Sequence, residues 1–400
     1  MSVKKRTWRL FAVLAVLGLV AAACGDDDDD GGQAASDGGG DEGSIWVLLP
    51  DTASSDRWEQ EDAPFFTEAF EAAGLSEGDD FTVVNAEGDA STQQSQAEQA
   101  IADGASVIVL TSLDTGSGAT IIDQAKDADV AVVEYDRFNT GGSGGDAYVS
   151  FDNVAVGAAM AEAVEPAIDA LNLAPARVVE LNGGEEDNNS FLFKQGYDET
   201  VQARVDAGDW ELVADQFVPG WDNAEAQTLM EQILVDNNNG VDAVFAANDG
   251  LANSVINAME AAGVGPVPLS GQDATAAGIQ NVVLGKQTVS VYKPIQDEAG
   301  VAAAIALALR NGDDIEEAAN NYESPLESGG SAVNIIGIKA EDGQPTDSAS
   351  GDGVVMYVAL VPIGVTVDNV ADTVIADGFR TIDEICTGDV ASTEFCQQNS

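Results

Sequence analysis

From residue 44 the chain switches repeatedly between two hydrophobic periods. Short apolar runs, "SIWVLL", "FTVVN", "ASVIVLT" and "VAVVEYD", are separated by segments of helical spacing, "APFFTEAFEAAG", "STQQSQAEQAIADG" and "GATIIDQAKDAD". The runs are rich in Val, Ile and Leu and nearly unbroken, which predicts strands buried on both faces. Gly74 and Gly104 stop two of the helices, and Ser91 stands where an N-cap is expected. Such alternation predicts a parallel sheet with helices on both sides.

The pattern restarts after "AYVSFDN". A long helix, "NVAVGAAMAEAVEPAIDAL", leads into the strand "ARVVELNGG", then helix, strand, helix, "VDAVFAAND" and a further helix. "VPLSGQD" and "TVSVYKP" read as two more strands. Two successive units of similar size predict an α/β protein of two doubly wound, Rossmann-like lobes. The first is expected over 45–152 plus 294–350 and the second over 153–293 plus 351–385, with 386–400 as a C-terminal tail. A three-strand hinge then crosses near Asp152, Pro294 and Val355. No sequence repeat relates the two units, only a repeated pattern.

Several strands end in polar residues where the apolar run stops: "EYDR", "ELNGGEEDNN", "AAND", "SGQD", "VYKP". Open parallel sheets bind ligands beyond the carboxyl ends of their strands. Polar strand ends are also ordinary loop starts, but five in one topological position predict a lined cleft. The candidates are Asp136 and Arg137; Asp187, Asn188 and Asn189; Asn248; Asp273; and Lys293. Arg57 and Trp58 follow the first strand, and Trp221 lies in "PGWDNAE". Asp136 and Arg137 are adjacent and opposite in charge, so they are expected to hold each other while offering an acceptor and donors to one ligand.

Composition narrows the class. The 400 residues carry 15 Lys plus Arg against 70 Asp plus Glu, a net charge of −55. Such a chain repels nucleic-acid phosphates and anionic lipid surfaces. With no histidine, it has no Ser-His-Asp triad, Cys-His pair or His-ligated zinc; no metal or cofactor is expected. Gly142, Gly144 and Ala147 have a dinucleotide-fingerprint spacing but precede a strand rather than open a helix. "TGSGAT" reads as a helix N-terminus.

The N-terminus reads as an export signal. Lys4, Lys5, Arg6 and Arg9 precede a short apolar stretch, Leu10 to Ala23, too short to span a bilayer. It ends "VAAACG", which resembles a lipobox with Cys24 as the lipidated first mature residue. The Asp- and Gly-rich stretch 24–44 reads as a tether. Export permits a disulfide, so Cys386–Cys396 is expected, two free thiols being the alternative.

"VVEYDRFNTGGSGGDAYVSFDNVAVG" resembles the strand, Asp-Arg pair and hinge of type I periplasmic sugar-binding proteins. "GGEEDNNSFLFKQG", "WDNAEAQTLMEQIL", "VDAVFAANDGLANSVINAMEAAG" and "LSGQDATAAGIQNVVLGKQTVSVYKPI" look, in order, like its D-xylose-binding branch. The resemblance covers residues 45–380. It implies the type I periplasmic binding protein fold and no catalysis. It implies a monosaccharide ligand, D-xylose or a close aldose, held by the residues named above. The implied partners are an ABC permease and its ATPase, for a monomer in the cell envelope, anchored at the outer face of the cytoplasmic membrane or in the periplasm. A sensor presenting sugar to a receptor or kinase is the alternative.

Overall fold

The computed structural model describes residues 43–55 and 57–399. The export signal, Cys24 and nearly all of the tether lie outside the described residues.

The first lobe begins β1 (Ser44–Leu49), α1 (Ala63–Ala72), β2 (Phe81–Asn85), α2 (Ala90–Ala102), β3 (Ala105–Leu110), α3 (Thr115–Asp127), β4 (Ala131–Tyr135), β5 (Ala147–Phe151). The second runs α4 (Asn153–Asp169), β6 (Ala176–Asn182), α5 (Asn188–Ala207), β7 (Trp210–Phe217), α6 (Asn223–Asp236), β8 (Ala243–Ala246), α7 (Asp249–Ala262), α8 (Ala276–Val283), β9 (Ser290–Tyr292). The chain then returns through α9 (Ile295–Asn311), α10 (Ile315–Asn320), β10 (Val333–Lys339), β11 (Pro345–Thr346) and β12 (Val354–Leu360) before β13 (Ile363–Val365).

The first sheet has eight strands in the order β2-β1-β3-β4-β5-β12-β10-β11. Its first six strands are parallel, as the apolar runs predict, and β1, β3 and β4 carry fully buried Val, Ile and Leu. Two features depart from the sequence reading. β10 pairs antiparallel with β12, and β12 pairs parallel with β5. Residues 354–360 therefore belong to the first lobe's sheet, and the third passage between lobes falls at Val361–Pro362, not near Val355. An apolar strand carries no mark of which sheet will bury it, so the boundary drawn at 351 was too early.

The second sheet is β7-β6-β8, all parallel. Leu269 bridges to Val244, and Gln272 to Val291 of β9, which pairs antiparallel with β13. "VPLSGQD" thus makes single bridges rather than a full strand. Pro266 and Pro268 have no N–H to give a ladder, and Asp273 turns out of the extended region. Residues 386–399 are no loose tail. Ile385, Val390 and Cys396 join a buried cluster with Val283, Tyr292 and Val365, and Cys386 is bonded to Cys396.

The acid surplus is partly used at helix starts. Asp89, Asp114, Asp152, Asp187, Asp222 and Asp314 each accept a backbone N–H at an N-cap. The carboxylate satisfies an otherwise unpaired donor and meets the positive end of the helix dipole. The expected cap Ser91 lies inside α2, and its hydroxyl bonds Asp89 instead. The charged acceptor, one residue before the helix, takes the role.

α4 and α5 cross at Gly157 and Gly196. A Cβ at Gly157 would strike the Phe193 carbonyl, and one at Gly196 the Val154 carbonyl. The crossing fixes α5, whose N-terminus carries the "DNN" residues. Gly157→Ala is expected to destabilise the fold by about 1–3 kcal/mol through overpacking, read as a lower urea midpoint with unchanged slope.

Candidate functional site

The carboxyl ends of β1, β4, β6 and β8 converge on a cavity of about 330 Å³. Of the eleven residues read from the sequence, ten line it: Arg57, Trp58, Asp136, Arg137, Asp187, Asn189, Trp221, Asn248, Asp273 and Lys293. Asn188 does not. Its side-chain amide donates to the Gly343 carbonyl at 3.3 Å, away from the cavity. Ser54, Ser55, Phe193 and Gln272 line the cavity without having been singled out.

The floor is an ionic network. Arg57 donates through Nε and Nη2 to Asp62 at 2.9 and 2.7 Å, and through Nη2 to Glu298 at 2.8 Å. Its Nη1 donates to Asp136 Oδ2 at 2.9 Å. Four of its five N–H groups are thereby used, so most of this guanidinium supports the site rather than facing a ligand. Tyr135 donates its hydroxyl to Asp62 at 2.6 Å. Lys293 Nζ lies 3.3 Å from Asp136 Oδ2 and 3.6 Å from Asp273 Oδ1.

Asp136 and Arg137 do not hold each other. Asp136 sits at φ +59, which turns the chain sharply after β4 and sends the two side chains apart. Asp136 turns to Arg57 and Lys293, while Arg137 Nε lies 3.3 Å from Asp187. Arg137 also donates to the Ser112 carbonyl and to Ser54 Oγ. Asn189 donates to the Asp136 carbonyl at 2.9 Å and accepts from Asn153 at 2.8 Å. Trp221 and Asp273 share the unusual backbone, at φ +55 and +91. Such conformations in non-glycine residues are held only where surroundings over-determine them, and they gather at functional sites.

Burial works against the charge on Asp136, but Lys293, Arg57 and Arg137 overcome it and hold the carboxyl well below its usual range. Glu298 goes the other way. Burial and the nearby Asp136 charge push it well up despite Arg57. Asp136 is therefore a fixed acceptor, while Glu298 holds a proton more tightly than an ordinary carboxyl does.

Four buried polar atoms on cavity residues make no hydrogen bond: Gln272 Oε1 and Trp221 Nε1, which have no ion-pair contact either, and Asp273 Oδ1 and Arg137 Nε, which meet only the ion-pair contacts to Lys293 and Asp187 given above. Two are acceptors and two are donors. Trp58 belongs to one lobe and Trp221 to the other, and Phe193 packs against Trp221 at 6.4 Å in an edge geometry. The arguments from spacing missed Gln272 because strand residues alternate in facing. The left-handed turn at Asp273 breaks that alternation and lets two neighbours face one cavity. Among the described residues no group of His, Cys, Asp or Glu is placed to hold a metal ion. No described helix is long and apolar enough to cross a membrane.

Two α/β lobes with a polar, aromatic-walled cavity at their strand ends define a solute-receptor architecture. The pattern of the periplasmic binding protein domain matches residues 46–314, more than half of the chain, which belongs to that family. The D-xylose-binding periplasmic protein of Escherichia coli K12 is 34% identical over 334 residues, covering 82% of this chain and 89% of that protein. The protein of the same name from Haemophilus influenzae is 34% identical over 342 residues, 84% and 91%. A carbohydrate-transporter solute-binding protein from Chloroflexus aurantiacus, solved with D-glucose, shares the fold. Its TM-score is 0.69 at 23% identity, over 85% of this chain and 97% of that one.

Behind the cavity, Asp249 accepts from Gln287, Ser290 and Thr275 and so braces the Asp273 loop. Burial pushes its carboxyl up to about 7. A raised acid favours the folded state fully below its unfolded pKa and loses that contribution as pH rises through the folded value. Between about pH 4 and pH 7, the ordinary and the raised values, the unfolding free energy of Asp249→Asn should therefore fall less than that of the unaltered protein. Denaturant titrations across that range check the difference.

Proposed function

We propose that this protein is an extracytoplasmic receptor that binds one monosaccharide, D-xylose, between its lobes and delivers it to an ABC permease and its ATPase. The observation that carries the reading is the set of four buried atoms without a hydrogen bond on a cavity wall that also carries two tryptophans. Gln272 Oε1 and Trp221 Nε1, with no partner of either kind, each cost about 1–3 kcal/mol when left unpaired. A sugar hydroxyl both donates and accepts, so one pyranose relieves acceptors and donors together, and its C–H faces suit indole rings. A neutral ligand also leaves the network's ion pairs in place. The choice of D-xylose rests on the names of the two relatives described above.

Two acids flanking a bond, as glycoside hydrolysis needs, are absent as a free pair here: Asp136 and Asp273 share Lys293. Binding of intact sugar is the better use of such a site. Closure of the lobes over ligand gives a permease a shape to recognise. We further propose that the protein is a monomer, anchored by a lipid on Cys24 at the outer face of the membrane, with 24–44 as tether.

Calorimetric titration of the chain from Gly25 onward, with xylose, ribose, arabinose, glucose and galactose, tests this. One-to-one binding with xylose tightest is expected. Arg137→Ala and Asp273→Ala should each weaken it by about 3 kcal/mol, roughly a hundredfold. Tighter binding of another sugar would move the specificity, and no binding by folded protein would end the monosaccharide reading.

A further inference from the structure

Arg380 lies beyond the residues matched by the family pattern and outside the cavity wall. Its contacts nevertheless reach the backbone behind the site from both lobes. Nε donates to the Ala274 carbonyl at 2.9 Å, and Nη1 donates to Glu61 Oε1 at 2.8 Å. Ala274 follows Asp273, and Glu61 lies in the helical turn Trp58–Asp62. Both side chains of the ion pair are shielded, at 12% and 14% exposure. Among the described residues it is the one ion pair between the lobes that does not involve cavity-lining residues.

The anchor of Arg380 is firm. Its guanidinium lies 4.0 Å from the ring centroid of Phe379, and that ring packs on Tyr292 at 5.0 Å, one residue before Lys293. Just beyond, Thr381 and Glu384 form a reciprocal capping box on the helix Ile382–Ile385. Gln280 binds the carbonyls of Glu384 and Ile385, and the disulfide closes the segment after it. The loop it grips needs support, since Asp273 and Ala274 sit at φ +91 and +47. A charge-assisted bond to the carbonyl of the second of these residues holds the strained turn that aims Asp273.

We propose that Arg380 is a positioning residue for the sugar site. It braces the Asp273 loop within its own lobe and clasps the Trp58 turn of the other lobe through Glu61, so that it slows reopening of the closed form. The proposal rests on the sugar-binding reading for its ligand, but its geometry can be tested without one.

Two measurements on the intact mature protein separate the possibilities. Stopped-flow tryptophan fluorescence with D-xylose gives association and dissociation rates. Hydrogen exchange of the unliganded protein reads the amides of Asp273, Ala274 and Thr275, which are bonded to Val291, Ser290 and Asp249. Arg380→Gln should raise the dissociation rate about tenfold with little change in association, and speed exchange at those three amides by a similar factor. Glu61→Gln should raise the dissociation rate but leave the exchange unchanged, because the bond to Ala274 remains. The double exchange Glu61→Arg with Arg380→Glu should recover part of the slow dissociation but not the exchange protection. If Arg380→Gln folds poorly, Arg380→Lys keeps the charge without the planar fork and should show both effects more weakly. Dissociation and exchange within about twofold of the unaltered protein in these variants would overturn the proposal. If the unaltered protein bound no sugar, the functional reading would fall, and unchanged exchange in Arg380→Gln would still overturn this one.

Discussion

The Arg57 guanidinium, gripped by three carboxylates, is the interaction on which the site depends. Asp62 and Glu298 hold it from below, and it holds Asp136 from above. A buried charge left alone is very costly, so each member of such a set requires the others. The set joins the turn after β1, the end of β4 and the start of α9, segments far apart in sequence. Removing one partner would leave the rest unbalanced by several kcal/mol. The network therefore contributes a fixed geometry for Asp136 more than net stability. Lys293 extends it to the second lobe and links the two acceptors, Asp136 and Asp273.

This constraint explains how an acidic chain uses its few cations. Beyond the export signal there are eleven, and among the described residues all but Lys339 have an identified partner. Arg57, Arg137 and Lys293 serve the cavity; Lys194 neutralises the buried Glu180; Arg310 ties α9 to Gly43 and Asp80; Arg380 spans the cleft. The acids in turn cap helices and face solvent. The charge imbalance thus falls on the surface, while the interior near the ligand site approaches balance.

Much of this was readable in the sequence, for specific reasons. Continuous apolar runs placed the parallel strands because strands buried on both faces leave no polar alternation. Polar residues at strand ends marked the cavity because the topology puts those ends together. The rest depended on tertiary facts. Nothing local told β12 which sheet to join. The left-handed backbone at Asp136 parted the Asp-Arg pair, and that at Asp273 brought Gln272 inward. Asn188 and Asn189 are adjacent on a helix, so only one of them faces the cavity. Asp62, Glu298 and Arg380 had no motif to mark them, since they act on site residues from behind.

A crystal structure of the protein with D-xylose tests the central claim most directly. The account predicts one pyranose between Trp58 and Trp221, its hydroxyls paired with Asp273 Oδ1, Gln272 Oε1, Trp221 Nε1 and Arg137 Nε, over an unchanged Arg57 network. A sugar bound elsewhere, or a cavity that takes the sugar only after Arg57 leaves Asp136, would contradict it.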